Sequence, residues 1–231
     1  MRMQSLVYPA RSVLWKGAML GSIAHAIFVA RAPFLAHEQS WSGRNYSVQD
    51  SQGSRGTIAF GTDDDEFVAV FYLHTSPRNP LAYGRAIPPL ELPVHDVPGE
   101  LAPLAREAMQ YVLQDVDGKA CPVLTSAFWS NPKTDSIASG EPWADALEHG
   151  ACLVARQMLP ADVAMEQWAT DFGFSQSQTA LTEALFLRRI SARQAVELTA
   201  CECDQIAAIA TSEQGLSMCR ESLAEAGIIA R

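Results

Sequence analysis

Histidine, serine, cysteine and carboxylate side chains are the material of a catalytic or metal site, so their spacing comes first. The five histidines are His25, His37, His74, His95 and His149. None forms H-x-x-x-H or H-E-x-x-H, the spacing that sets two imidazoles on one helical face for a metal. No G-x-S-x-G elbow, Walker A loop or dinucleotide glycine pattern occurs. Gly53-Ser54-Arg55-Gly56 is a turn, because a strand pattern rather than a helix follows it. A hydrolase site would have to be assembled from dispersed residues, with His37, Glu38 and His74 as its material. The five cysteines are Cys121, Cys152, Cys201, Cys203 and Cys219. Cys201 and Cys203 with Cys219 offer three thiols, but residues two apart on a helix point about 200° away from each other, and no His lies near. The residue types therefore predict no catalytic residue, no metal and no cofactor. The odd cysteine count and irregular spacing predict free thiols in a reduced, cytoplasmic protein.

Two segments have the residue types of a binding surface instead. Trp41, Arg44 and Tyr46 bracket a loop before a strand, and Trp, Tyr and Arg dominate interface hot spots. The competing expectation is that Trp41 and Tyr46 plug the end of a sheet. Asp63, Asp64 and Asp65, followed by Glu66, form an acidic run whose spacing matches no calcium loop. At a hairpin tip such a run is solvated and able to meet a basic partner. Entry to the first strand of an antiparallel meander and the turn after its second fall at one end of the sheet. Trp41, Arg44, Tyr46, Asp63, Asp64 and Asp65 are thus the expected partner-binding residues.

Charge supports a protein partner over other classes. Lys+Arg number 17 and Asp+Glu 26, a net charge of −9. The excess sits in the middle: residues 61–175 hold six basic and seventeen acidic residues. That balance argues against nucleic acid and against anionic membrane. The apolar stretch Ala18–Ala30 is too short for a bilayer, which needs about 20 residues, and it contains His25. As a signal-peptide core it would be followed by Ala30-Arg31-Ala32, with Arg in the middle of the cleavage site. A buried helix over Ser12–Ala30, with Pro33 just beyond its end, is the expectation. Basic residues are mostly arginine, with only Lys16, Lys119 and Lys133 as lysines, and alanine is abundant. This composition suggests a GC-rich bacterial genome.

The 231 residues amount to one large domain or two small ones. Period-two alternation marks strands at Asn45–Asp50 and Arg55–Phe60, and the apolar run Phe67–Leu73 marks a central strand. Residues 77–103 carry seven prolines and exclude a regular helix or central strand there. A helix is expected from Gly99 to Val116, stopped by Asp117-Gly118, and a strand over Cys121–Trp129. From Trp143 the pattern predicts helices at 143–158, 161–172, 176–189, 191–199, 203–211 and 213–226, with Ser191 and Ser212 as N-caps and Gly227 as a stop. The expected fold is α+β: an N-terminal helix plus a small antiparallel sheet over 1–142, followed by an all-helical part over 143–231.

Within that part, Ser191 opens one helix with Ala195, Val196 and Leu198 inward. A turn at Ala200-Cys201-Glu202 leads to a second with Ile206 and Ile209 inward. Ile190–Ile209 resembles the helix–turn–helix segment of small bacterial DNA-binding and antitoxin proteins. The resemblance implies a transcription regulator, although Glu202, Asp204 and Gln205 would face phosphate with two carboxylates. The balance of residue types favours a non-enzymatic bacterial protein that binds another, basic protein, with an immunity protein that neutralises a toxin as the concrete form. The alternatives are the dispersed hydrolase and the regulator.

Overall fold

The computed structural model describes residues 9–83, 94–131, 133–192 and 194–230. In chain order its helices are α1 (Ser12–Val29), α2 (Ala102–Met109), α3 (Trp143–Glu148), α4 (Ala161–Asp171), α5 (Gln176–Ser191), α6 (Ala200–Ile209) and α7 (Glu213–Glu225). The strands are β1 (Gln39–Ser42), β2 (Asn45–Gln49), β3 (Arg55–Phe60), β4 (Phe67–Tyr72), β5 (Leu113–Val116), β6 (Lys119–Pro122), β7 (Ser126–Ser130), β8 (Ile137–Ala138), β9 (Val196–Glu197) and β10 (Ile228–Ile229). The chain divides into two compact units. One holds residues 1–14 and 44–158, the other 15–43 and 159–231.

The first unit is built on an antiparallel sheet in which β2, β3, β4, β7 and β8 lie side by side in that order. The expected meander is present, with Tyr46 opposite Ile58 and Ile58 opposite Ala69. Every residue of β4 is buried, as a continuous apolar run requires when both faces of a strand are covered. Val68, Val70 and Tyr72 pack on one face against Leu101, Ala105, Ala108 and Val112. Phe67 and Phe71 face the other way and meet Phe128 with ring centroids 6.0 and 5.4 Å apart, and Phe128 meets Trp143 at 5.5 Å. The start of the chain is tied in at β8, where the Ile137 N–H donates to the Pro9 carbonyl at 3.1 Å.

The second unit is organised by α1. The helix is apolar on all sides, which is the pattern of a buried helix: Leu20, Ile23, Ile27 and Val29 are all enclosed. Among the described residues it is the helix long and apolar enough to span a bilayer, and 72% of that length is buried within the protein. Phe28 stacks on Phe172 at 4.3 Å, and Trp168 stacks on the same ring at 5.1 Å. Beyond Val29 the Ala30 carbonyl accepts the Thr211 N–H at 3.1 Å, and Gly215 of α7 lies directly against it. Capping boxes start α5 (Ser175 with Gln178) and α6 (Thr199 with Glu202). Ser212 caps α7 as expected, and Gly227 follows its end with φ +80.

Several expectations are corrected. The helix from Gly99 stops at Met109, and Leu113–Pro122 is a hairpin of β5 and β6. Asp117 and Gly118 both have positive φ, 52 and 77, which makes them a two-residue hairpin turn rather than a helix stop. The strand expected over Cys121–Trp129 is divided between β6 and β7. The helix expected over 143–158 is α3 followed by two 3-10 turns, Ala151–Val154 and Arg156–Met158. Ser191 is the last residue of α5, not a cap. The region 191–199 contains β9, which pairs in parallel with β10, so the C-terminal part is not all-helical. Of the proline-rich segment, residues 84–93 lie outside the described residues.

Two predictions follow from the packing of α1. Replacing glycine by alanine inside a helix ordinarily gains up to about 1 kcal/mol. At Gly215 the added Cβ would lie 2.3 Å from the Ala30 carbonyl oxygen. Gly215→Ala is therefore expected to destabilise by about 1–3 kcal/mol, read as a lower urea midpoint; a higher midpoint would contradict the close approach.

The second concerns His25, which is 1% exposed and whose Nε2 donates to the Leu35 carbonyl at 3.1 Å. An acceptor carbonyl requires the protonated nitrogen there, so Nε2 carries the hydrogen. Burial pushes the imidazole down to about 4, opposed by the Leu35 hydrogen bond and assisted by His37. Because the folded value lies below the ordinary 6.5, the unfolded chain binds the proton more readily. Stability is complete above about pH 6.5 and falls as pH drops towards 4, by roughly 3 kcal/mol from this group. Urea titrations across that range should show the loss, and His25→Gln should flatten it.

Candidate functional site

The accessible candidate in the first unit is the tip between β3 and β4. The Gly61 N–H donates to the Glu66 carbonyl at 2.7 Å, and the Glu66 N–H to the Asp63 carbonyl at 3.0 Å. These bonds hold the acidic run in a closed loop. Arg44 sits beside it: its carbonyl accepts the Phe60 N–H at 3.1 Å, and its guanidinium donates to the Asp64 carboxylate at 2.8 Å. Both side chains of that pair are about half exposed, 46% and 47%. Asp63 and Glu66 are exposed and Asp65 is half-buried. The register of Asn45 opposite Ala59 brings strand entry and tip to one end of the sheet. Arg44, Asp63, Asp64 and Asp65 are thus together on one accessible surface.

The two aromatics expected beside them are core side chains. Trp41, in β1 of the second unit, is 8% exposed; its Nε1 donates to Ser22 Oγ at 2.7 Å and its backbone N–H to Glu225 Oε2 at 3.0 Å. Tyr46, in β2 of the first unit, is fully buried and its hydroxyl accepts from Gln157 Nε2 at 2.8 Å. Tyr46 faces inward because β2 alternates and its neighbours Asn45 and Ser47 take the other face. Neither aromatic offers area to a partner.

A polar cluster that the sequence did not reveal lies where β4 runs out into the loop at Ser76. His149 Nδ1 and Ser76 Oγ are 3.0 Å apart, the separation of a nucleophile and its base. Ser76 is 1% exposed and His149 9%. The serine oxygen also accepts the Arg78 N–H at 3.1 Å. Thr125 Oγ1 donates to the His149 carbonyl at 2.6 Å and accepts the Leu73 N–H at 2.9 Å. Glu141 receives both the Arg78 guanidinium and Ser126 Oγ. Ser76, Thr125, Ser126 and His149 are buried and mutually satisfied, Arg78 and Glu141 close the cluster at the surface, and together they latch the loop to β7 and α3. His37 is exposed in the 3-10 turn Pro33–Glu38 of the second unit, and His74 is exposed in the first unit with Nδ1 3.5 Å from the Tyr72 hydroxyl. The hydrolase material is therefore split between the two units.

Among the described residues no group of three or more His, Cys, Asp or Glu is placed to hold a metal ion. All five cysteines are free. Burial pushes the Cys219 thiol up to about 12, and burial also raises that of Cys152, so neither is a ready nucleophile.

The pair of helices expected over Ile190–Ile209 is not formed there, because α5 ends at Ser191 and β9 follows it; two helices joined by a three-residue turn come next. These are α6 and α7, joined by Ala210-Thr211-Ser212. Gly215, Cys219 and Leu223 form the buried stripe of α7, while Glu213, Gln214, Ser217, Arg220 and Glu221 are exposed. Arg188, in the last turn of α5, donates to the Glu202 carboxylate at 2.6 Å. Burial opposes the charge of that carboxylate, but the Thr199 N–H and the Arg188 guanidinium outweigh it and hold its pKa down.

Comparison with protein-family models, with curated proteins and with solved structures finds no match for this chain.

The burial of Trp41 and the exposure of Arg44 give opposite expectations for neighbouring substitutions. Trp41→Ala should cost about 3–5 kcal/mol, the range for a large buried aromatic. Arg44→Ala should cost under about 1 kcal/mol, as an exposed ion pair does. Thermal melts of both variants check this; equal effects would contradict the assignment.

Proposed function

We propose that this chain is a non-enzymatic, cytoplasmic bacterial protein that works by binding a basic protein, and that neutralising a toxin is its concrete role. The observation that carries the reading is the closed acidic tip, where Asp63, Asp65 and Glu66 stand at the end of the sheet and, among the described residues, the Arg44 guanidinium pairs with Asp64. Carboxylates clustered on a protruding, pre-organised loop raise the association rate of a positively charged partner by roughly 10–10³-fold. They contribute less to the lifetime of the complex, which rests on desolvated contacts. Net charge of −9 extends the same field over the molecule.

A regulator acting through α6 and α7 is the second reading, favoured by the three-residue turn and the Ser212 cap. Glu213 and Glu221 beside Arg220 weaken it, because they repel the phosphate backbone that supplies most non-specific affinity.

The test is capture from the source bacterium followed by association kinetics. Asp63→Asn, Asp65→Asn and Glu66→Gln together should slow association by about tenfold or more at low salt and leave dissociation nearly unchanged. An association rate indifferent to both the substitutions and salt would overturn the acidic-tip reading. Nanomolar, sequence-specific duplex binding would establish the regulator in its place.

A further inference from the structure

The outer stripe of α7 carries a pattern that the proposed binding role leaves unused. Leu216, Ser217, Arg220, Glu221 and Ala224 of α7, with Ile229 of β10, line an open groove of about 580 Å³. Ile229 is 36% exposed. Arg220 has no ion pair among the described residues, and Glu221 accepts only a hydrogen bond from Ser217 Oγ at 2.8 Å. The groove thus joins apolar area, the small residues Ser217 and Ala224, and the adjacent opposite charges Arg220 and Glu221, with Glu213 as a second carboxylate at its far end. Such a surface is complementary to itself.

We propose that the α7 groove is the interface of a two-fold homodimer, with the α7 helices of two copies antiparallel. An isologous contact requires that if residue i meets residue j, then j meets i. A two-fold axis between Arg220 and Glu221 satisfies this. Arg220 of one copy meets the second copy's Glu221, and the reverse pair forms alongside it. Ser217 of one copy then faces the second copy's Ala224 on each side of the axis. The two positions lie two turns apart on one helical face, and their small side chains let helix axes approach to roughly 8 Å. Leu216 and Ile229 flank the axis and supply apolar area at its edges. The opposite stripe of α7, with Gly215, Cys219 and Leu223, is fixed inward, so the groove is presented outward without rearrangement.

Sedimentation equilibrium of the full chain, as a function of protein concentration and salt, tests the proposal. Wild type should dimerise, and Arg220→Glu should weaken the dimer by at least about tenfold, because both ion pairs become like-charge contacts. Arg220→Glu combined with Glu221→Arg restores both pairs with the signs exchanged, and should recover dimerisation. That recovery distinguishes the interface from a general effect of charge or of misfolding, which thermal melts of each variant monitor. A wild type that stays monomeric up to about 100 µM, above the range of weak specific interfaces, would overturn the proposal. So would a dimer indifferent to Arg220→Glu, or a double variant that folds and stays monomeric.

Discussion

The carbonyl of Ala30 is the point on which the second unit depends. A helix leaves its last carbonyls without intrahelical partners, and α1 is apolar on every side, so water cannot easily serve them. The turn between α6 and α7 provides the partner through Thr211, and the Thr211 hydroxyl donates to the Arg31 carbonyl at 3.4 Å. Gly215 has no side chain to hold the two backbones apart. The end of α1 and the start of α7 therefore fix each other, although 180 residues separate Arg31 from Thr211. Beyond that junction, Trp41 of β1 donates to Glu225 at the other end of α7. With both ends held, α7 has a determined inner stripe and a determined outer one. Its accessible chemistry is a consequence of how α1 is buried.

Local pattern made much of this legible. A strand covered on both faces must read as β4 does, and the alternation at Tyr46, Val48 and Ile58 placed the meander. The apolar run after Ser12 marked α1. What escaped was decided by single turns and by distant partners. Asp117-Gly118 after Val116 is a hairpin signal as much as a helix stop; the helical spacing of Leu101, Leu104 and Ala108 extends the expected helix to Val116, seven residues past Met109 and into β5, which pairs with β6. Val196-Glu197 is a strand only because β10 lies next to it, and a two-residue parallel pairing leaves no periodicity to read. The helix expected over 191–199 is absent for the same reason.

The candidate surface was half legible. Residue type marked Trp41, Arg44 and Tyr46 together, because Trp, Tyr and Arg are common in interfaces, but Trp and Tyr are also the side chains most able to fill a core while keeping a polar tip satisfied. Trp41 does this through Ser22, and Tyr46 through Gln157. The acidic tip was readable because four consecutive acidic residues cannot be buried. The Ser76–His149 cluster was not, since its members lie 73 residues apart and belong to no spaced motif.

The central claim is that the C-terminal helices do not form a stable body without α1. Thermal unfolding of a fragment spanning 159–231, followed by circular dichroism with and without a peptide covering 15–43, tests it most directly. The account predicts a broad, uncooperative transition for the fragment alone and a cooperative one when the peptide is present. Cooperative unfolding of the fragment by itself, with the same midpoint in the presence of the peptide, would contradict it.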